Sequence, residues 1–192
     1  MTNTENSFYL ESLSEKALFE TRVLFFSEPV TSKTASSLIE KLLALDSKGK
    51  APIFLYLNSP GGEVDTGFGI YDVIRYLNSE VKIIVSGLAA SIATIILLAA
   101  KPKNRLSLAN SRFLIHQPLI SGTFRGSASD IEIQAEEMLK TREKIVEMYV
   151  KETKKTKAKI VKDIDRDYWM SSREALNYGL ISKVISSKKD LS

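Results

Sequence analysis

Short apolar runs alternate along the chain with longer segments in which apolar residues recur every three or four positions. The short runs predict strands at residues 22–26, 53–57, 81–86, 113–116 and 180–185. The longer segments predict one helix that begins at Thr31 or Ser32 and ends near Gly49, and another from about Thr66 to Leu77. Strands separated by helices favour parallel pairing through right-handed crossovers, so the pattern predicts an α/β core.

The segment from Leu88 to Ala100 is almost entirely apolar and is interrupted by Ser91 and Thr94. A membrane-spanning helix requires about 20 consecutive apolar residues, and this run is shorter. We therefore expect a buried helix here and no membrane span.

A long helix is predicted from residue 129 to about 151. Ser129 and Glu132 have the spacing of a capping box at its start, and Ser171 and Glu174 have the same spacing before a last short helix. The apolar face of the long helix is too wide for a helix that only lies on the surface, which predicts packing against another subunit. The apolar residues are Ile131, Ala135, Met138, Leu139, Ile145, Val146 and Tyr149.

Composition narrows the class of protein. The chain has 192 residues, a length that suits one domain, and it contains no cysteine. The lack of cysteine excludes disulfides, thiolate metal sites and a cysteine nucleophile, and it fits a reducing compartment.

The net charge of +4 comes mainly from lysines between residues 151 and 162, which acidic residues interrupt. This run predicts a solvated helix face and no binding to nucleic acid. Residues 1–7 are polar and lack a signal peptide's apolar stretch, so we expect a cytoplasmic protein.

His116 is the single histidine in the chain. A lone histidine on an apolar strand is more often a core residue than a catalytic one. However, His116 ends its strand directly before Gln117 and Pro118, and α/β sheets place their sites at such strand ends. It also has the chain's only side chain with an unperturbed pKa near neutrality, so a serine nucleophile would have no other imidazole as its base.

Ser91 also allows two interpretations. It can be a small residue that caps a buried helix, or a nucleophile at the first turn of that helix, where backbone N–H groups lack intrahelical partners. In the second case the N–H of Ile92 can hold a developing oxyanion, and Gly61 and Gly62 offer a second backbone donor where the chain approaches a substrate closely. Taken alone, these residues leave the choice open.

Six segments in order resemble the proteolytic subunit of the Clp protease, a family of serine peptidases. The resemblance extends from about residue 18 to 186. The segments are YLNSPGG (56–62), SGLAASIAT (86–94), FLIHQPL (113–119), SDIEIQAEEML (129–139), DIDRDYWMS (163–171) and EALNYGLISKVI (174–185).

The resemblance implies a catalytic triad. Ser91 is then the nucleophile, His116 the general base, and Asp167 the carboxylate that orients the imidazole and stabilises its cation. Asp163 and Asp165 are rival carboxylates nearby in sequence, but the match through RDYWMS selects Asp167.

The resemblance also implies the surroundings of the triad. The N–H groups of Gly62 and Ile92 form the oxyanion hole, and Asp165 and Arg166 match the family's ring-to-ring ion-pair region. An extended peptide is expected to bind by backbone hydrogen bonds, which explains weak sequence preference. The residues expected to line it are Gly61, Gly62, Glu63, Val64, Leu119 and Ile120.

The fold implied is α/β, the crotonase-like ClpP fold of repeated β-β-α-type units, with a protruding handle helix at 129–151. Residues 1–17 would be an N-terminal axial segment and 18–192 a single peptidase domain. The resemblance further implies that seven subunits form a ring and that two rings stack through their handles into a tetradecamer. It also implies a hexameric AAA+ unfoldase that consumes ATP and threads unfolded polypeptides into the chamber. Nothing in this chain resembles a Walker motif, so we expect it to bind no nucleotide and to need no cofactor or metal. The family's unfoldase-docking pocket maps to Phe54, Tyr56, Tyr76 and Leu106, for which core packing is the alternative.

Three features depart from the family pattern. The serine is followed by Ile92-Ala93 where the family usually has Met-Gly, and a β-branched residue there can reshape the pocket. The segment after the histidine, 120–126, is two residues longer than usual, and the residues before 18 match poorly. These departures favour a divergent paralogue. The alternative function is a weakly active or inactive scaffold subunit in a mixed ring with a second ClpP-type paralogue.

Overall fold

One seven-stranded sheet forms the centre of the protein. The computed structural model describes residues 13–119 and 126–191. The strands are β1 (Val23–Phe26), β2 (Ile53–Ser59), β3 (Val81–Ala90), β4 (Arg105–Leu108), β5 (Arg112–Ile115), β6 (Tyr168–Ser171) and β7 (Lys183–Ile185). The helices are α1 (described over 13–20), α2 (Ser32–Ser47), α3 (Val64–Tyr76), α4 (Ile92–Leu98), α5 (Ala128–Thr153), α6 (Lys157–Asp163) and α7 (Ser172–Tyr178). None of the helices in these two ranges is long and apolar enough to cross a bilayer.

The ten-residue strand β3 joins two parts of the sheet. Strands β1, β2, β3, β4 and β7 lie side by side in that order, and all of these pairs are parallel. The first half of β3 pairs with β4 at Ile83–Val85, and its second half pairs with β5 at Leu88–Ala90. The sheet therefore divides along β3, near Gly87.

This division corrects the expected end of the third strand. The sequence predicts a strand at 81–86 and a helix over the apolar run after it, but the strand continues to Ala90 and α4 begins at Ile92. All seven residues of α4 are buried. A fully buried strand and a fully buried helix have the same uninterrupted apolar pattern, so periodicity cannot separate them. Pairing with β5 keeps residues 88–90 extended.

Strand β6 runs antiparallel to β5, whereas alternation of strands and helices favours parallel pairs. Two helices in succession, α5 and α6, connect these strands and return the chain to the end of β5 that it left. The N–H of Gln117, just after β5, donates to the C=O of Ile164, just before β6, over 2.7 Å. The next strand must then run back along β5.

The handle helix α5 begins one residue earlier than expected, at Ala128, and ends at Thr153. Its capping box uses Ser127 and Asp130, not Ser129 and Glu132. The Ser127 hydroxyl accepts from the N–H of Asp130, whose carboxylate accepts from the N–H of Ser127. An Asp at the third helical position thus replaces the Glu that the usual motif contains.

The two halves of α5 have different surroundings. Ile145, Val146 and Tyr149 are buried in the main hydrophobic core. In the first half, large apolar side chains are exposed to solvent: Ile131 (52%), Ile133 (56%) and Leu139 (64%). The expectation that this helix packs against another subunit stays a prediction, and these side chains are the surface that such packing would cover.

A buried ion pair fixes the base of α5 to the sheet. Arg105 on β4 is 1% exposed and pairs with Glu152, near the end of α5. Its guanidinium also donates to the C=O groups of Leu98 and Ala100 over 2.9 and 2.8 Å, at the C-terminal end of α4. A single cation therefore connects β4, α4 and α5.

We predict that Glu152→Ala destabilises the fold by about 3 kcal/mol, because it leaves the Arg105 guanidinium buried without its partner. Chemical denaturation measures this change. The matched control is Glu137→Ala on the same helix, whose partner Lys140 is exposed, and it should leave stability unchanged. Equal losses in both variants would contradict the prediction.

Candidate active site

Ser91 occupies a strained turn between β3 and α4. Its backbone angles are φ 57° and ψ −129°, a conformation that residues other than glycine rarely adopt. The N–H of Ser91 donates to the C=O of Leu114 on β5 over 2.9 Å, and its C=O accepts from the N–H of Thr94 over 3.0 Å. The turn is therefore held from both sides and leaves the serine partly exposed.

The Gly61-Gly62 segment lies directly against this turn. A Cβ atom at Gly61, where φ is 87°, would lie 2.8 Å from the Cβ of Ser91, so this position excludes any side chain. The C=O of Gly61 and the N–H of Glu63 both bond to Val30. Because neighbouring residues of an extended segment point to opposite sides, the N–H of Gly62 faces away from Val30.

The side chain of Ile92 points into the core and not into the site. It is 2% exposed, and a Cβ atom at Gly67 on α3 would lie 2.2 Å from its Cγ1. The N–H of Ile92 belongs to the first turn of α4, where backbone donors lack intrahelical partners. The β-branched residue after the serine is thus accommodated by a glycine on the facing helix.

His116 and Asp167 lie next to each other beyond the ends of β5 and β6. The His116 Nδ1 atom is 3.8 Å from the Asp167 Oδ1 atom, which is longer than a hydrogen bond. The histidine side chain is 16% exposed and that of Asp167 is 63% exposed. Within 13–119 and 126–191, no hydrogen bond joins the Ser91 hydroxyl to His116. Catalytic hydrogen bonds are often long before substrate binds.

The two rival carboxylates have other surroundings. Asp163 is buried, accepts a hydrogen bond from the Tyr178 hydroxyl over 2.7 Å, and pairs with Lys159. Burial, together with the hydrogen bond to Asp163, raises the pKa of Tyr178 far above its usual value. Asp165 is exposed and has no ion pair in the described part of the chain. Asp167 is the carboxylate that faces His116.

Gln117 links the histidine loop to the aspartate loop, a role that the sequence did not predict. Its side-chain amide donates to the C=O of Asp165 over 3.1 Å, and its Oε1 atom accepts from Nε of Arg142 on α5, also over 3.1 Å. The signal in the sequence was its position directly after the single histidine. The contact with Arg142 depends on tertiary packing and has no local signature.

The structure brings only some of the residues expected to bind a peptide close to His116. Leu119 is 69% exposed and lines an open cavity of about 320 Å³ with His116 and Asp167. Val64 is the first residue of α3, so the extended segment ends before it. Ile120 lies outside the described residues.

Glu63 lies directly before α3, and its carboxylate is held by two side-chain hydroxyl groups and makes no capping bond to the helix backbone. Its Oε2 atom accepts from the Thr66 hydroxyl over 2.7 Å and from the Ser32 hydroxyl over 3.0 Å. These two bonds lower the pKa of the Glu63 carboxyl below its usual value. In residues 61–63, the backbone N–H and C=O of Gly62 are the groups that face away from Val30.

The residues expected to dock an unfoldase divide into two groups. Phe54, Tyr56 and Leu106 belong to a small second hydrophobic cluster with Ile84 and Ile185, in which Leu106 is 5% exposed. Tyr76 lies outside that cluster and is 81% exposed.

Asp165 and Arg166, expected at a contact between rings, are both exposed. The Arg166 guanidinium donates to the C=O of Asp165 over 3.3 Å. Both residues also line the cavity beside His116. Any contact made by Arg166 would therefore act one residue away from Asp167.

A serine in a strained strand-to-helix turn, next to backbone N–H groups and accompanied by a neighbouring histidine and aspartate, is the constellation of a serine hydrolase. Comparison with known proteins identifies the family. The family model described as Clp protease matches residues 9–188, and the chain belongs to that family of serine peptidases.

Named relatives and a solved structure agree with this assignment. The ATP-dependent Clp protease proteolytic subunit 1 of Protochlamydia amoebophila is 49% identical over 179 residues, which cover 92% of this chain and 86% of that protein. Proteolytic subunit 2 of Treponema pallidum is 44% identical over 182 residues, which cover 94% and 90%. A structure of a ClpP1 variant from Listeria monocytogenes has a TM-score of 0.85 and 35% identity, and the match covers 93% of this chain and 99% of that one. The fold is therefore the ClpP fold.

We predict that Gly67→Ala slows labelling of Ser91 by a fluorophosphonate about tenfold, because the new Cβ must displace Ile92 and its N–H. The rate of labelling in the assembled protein measures this effect. Gly69→Ala is the control on the same helix, since nothing lies within 4 Å of a Cβ atom there. A normal rate in Gly67→Ala would show that the position of Ile92 does not limit the reaction.

Proposed function

We propose that the chain is a serine endopeptidase subunit that cuts unfolded polypeptides into short peptides. The observation that carries the proposal is the turn at Ser91, which presents a serine at the start of α4 with the backbone N of Ile92 beside Gly61. We propose the N–H groups of Ile92 and Gly62 as the two oxyanion donors. Such donors stabilise negative charge where it develops in the transition state of acyl transfer.

The proposed reaction follows from these positions. The Ser91 hydroxyl attacks the carbonyl carbon of the scissile peptide bond while His116 accepts its proton. The negative charge on the carbonyl oxygen is held by the N–H groups of Gly62 and Ile92. Collapse of this intermediate breaks the C–N bond, and His116 returns the proton to the leaving amine. Water then releases the acyl group by the same steps, and Asp167 stabilises the imidazolium throughout.

The substrate is proposed to bind as an added strand. Gly62 directs its backbone away from Val30, and Leu119 lies exposed beside His116. Backbone hydrogen bonds from such an edge hold an extended peptide without reading its side chains. This binding suits unfolded chains of varied sequence.

The proposed assembly is a stack of two heptameric rings in the cytoplasm, fed by a hexameric AAA+ unfoldase that consumes ATP. The exposed apolar residues of α5 support stacking, because a surface of that kind is stabilised when another subunit covers it. We propose that the cluster of Phe54, Tyr56 and Leu106 contacts the unfoldase. Tyr76, the last residue of α3, lies outside this cluster and is exposed.

The second candidate function is a scaffold subunit that works mainly in a mixed ring with a paralogue. The observation that favours it is the separation of 3.8 Å between His116 and Asp167, which leaves the triad unclosed in the single chain. Hydrolysis of a short fluorogenic peptide by the purified chain, alone and with a paralogue, distinguishes the two functions.

We predict that Ser91→Ala and His116→Ala each abolish covalent labelling by a fluorophosphonate or a β-lactone. The sequence contains no second histidine that could act as the base. Because the triad acts as a unit, the double variant should lose little more peptidase activity than either single variant. Labelling that persists in Ser91→Ala would refute the assignment.

A comparison of Asp167 with Asp163 tests which carboxylate belongs to the proposed triad. Asp167→Asn should lower turnover by up to about 10⁴-fold, because the amide favours the wrong imidazole tautomer. Asp163→Asn should have a far smaller effect on turnover, since Asp163 bonds to Tyr178 and Lys159. A greater sensitivity at Asp163 would reverse the choice of carboxylate.

We predict that Arg166→Ala yields mostly single heptamers with low peptidase activity, although Ser91 and His116 are unchanged. Arg166 is exposed and adjacent to Asp167, so loss of its contact between rings displaces the triad carboxylate. Sedimentation velocity and a parallel peptidase assay measure assembly and activity. A fully active single ring, or an inactive variant that still forms stable double rings, would break the link between assembly and triad alignment.

A further inference from the structure

We propose that Tyr149 and Thr94 form a hydrogen-bond relay that orients the proposed oxyanion donor, the N–H of Ile92, beside Ser91. Both are then positioning residues, because neither reaches the substrate. The inference rests on the proposed role of Ser91 as the nucleophile, and it extends that role to a residue of the handle helix.

The relay has one possible direction. The Thr94 hydroxyl lies 2.7 Å from the C=O of Ser91, which can only accept, so the threonine donates its proton there. The Tyr149 hydroxyl bonds to the same threonine oxygen. Since the threonine proton is already committed, Tyr149 must donate to Thr94.

Both hydroxyl groups are cut off from solvent. Thr94 is 0% exposed and Tyr149 is 1% exposed, so water cannot replace either partner. Burial raises the pKa of the Tyr149 hydroxyl well above its usual value. The tyrosine therefore keeps its proton over the whole range in which a peptidase is assayed.

The carbonyl that the relay holds shares a peptide plane with the proposed oxyanion donor. In a trans peptide the C=O of Ser91 and the N–H of Ile92 point in opposite directions. Two donors from Thr94, its N–H and its hydroxyl, hold that C=O on the core side. The N–H of Ile92 is consequently directed to the other side, towards Gly61.

This anchoring opposes a rotation that the turn would otherwise favour. A residue at the backbone angles of Ser91 is destabilised by about 1–3 kcal/mol, and such a conformation persists only where its surroundings determine it. Rotation of the peptide plane between Ser91 and Ile92 relieves strain of this kind and turns the N–H away. The same rotation would break the buried hydrogen bond from the Thr94 hydroxyl to the C=O of Ser91, so the relay opposes it.

The test compares three substitutions in the full-length assembled protein. Thr94→Val removes the hydroxyl and keeps the shape, Tyr149→Phe removes the outer donor, and Thr94→Ser keeps the hydroxyl. We expect kcat and the rate of fluorophosphonate labelling to fall about tenfold in Thr94→Val, with KM changed less than about twofold, because the lost interaction acts in the transition state. Tyr149→Phe should show a smaller loss of the same kind. Thr94→Ser should retain activity close to the parent.

The double variant Thr94→Val/Tyr149→Phe should be no slower than Thr94→Val alone, since both residues act through one carbonyl. Thr153→Val is the matched control on α5. It removes another buried threonine hydroxyl, which donates to the C=O of Tyr149 over 2.7 Å and does not contact Ser91. Its kcat should equal that of the parent, even if its melting temperature falls.

The outcomes separate the relay from the nucleophile. If Ser91→Ala labels like the parent, the proposed function fails and the relay fails with it. If Ser91→Ala is silent while Thr94→Val and Tyr149→Phe keep the parent kcat, only the relay is overturned. An equal fall of kcat in Thr153→Val, or a rise in KM with kcat unchanged, also overturns it, because either result indicates general loosening of the fold.

Discussion

The strained backbone at Ser91 is the constraint on which the rest of this structure depends. A strand must end, a helix must begin, and a serine must face outwards, all within one residue at φ 57°. Leu114 holds the N–H side of that residue and Thr94 holds its C=O side. The flanking strand and helix are among the most buried parts of the core, so the turn cannot relax by moving either of them.

The division of the sheet brings the histidine to this turn. Because the second half of β3 pairs with β5 and not with β4, Ala90 lies opposite Leu114, and the residues after them leave the sheet at the same edge. Ser91 follows Ala90 directly, and His116 follows β5 one residue beyond Ile115. Two helices then return the chain to that edge before β6, which places Asp167 beside His116. Strand pairing and the α5–α6 connection together therefore place Ser91, His116 and Asp167 at one edge of the sheet.

The sequence predicted the features that depend on local pattern and missed those that depend on pairing. The apolar runs located five strands, and Ser171 with Glu174 correctly predicted a capping box. The extension of β3 to Ala90 was missed because a buried strand and a buried helix share one pattern. The residue types of the proposed triad were visible in the sequence, but only the family resemblance chose Asp167 over Asp163. The contacts of Arg142 and Tyr149 with the site had no local signal, since α5 lies far from both loops in sequence.

The handle helix contacts both halves of the site. Arg142 binds Gln117, which bonds to the aspartate loop, and Tyr149 binds Thr94, which bonds to Ser91. These two residues are seven positions apart, which is about two helical turns, so they lie on one face of α5. The opposite end of the same helix exposes its apolar side chains to solvent. A rigid helix transmits displacement along its length, so a partner that shifts the exposed end moves Arg142 and Tyr149 together. In the proposed assembly, one such movement would act on the contacts to Ser91 and to the loop of Asp167 together.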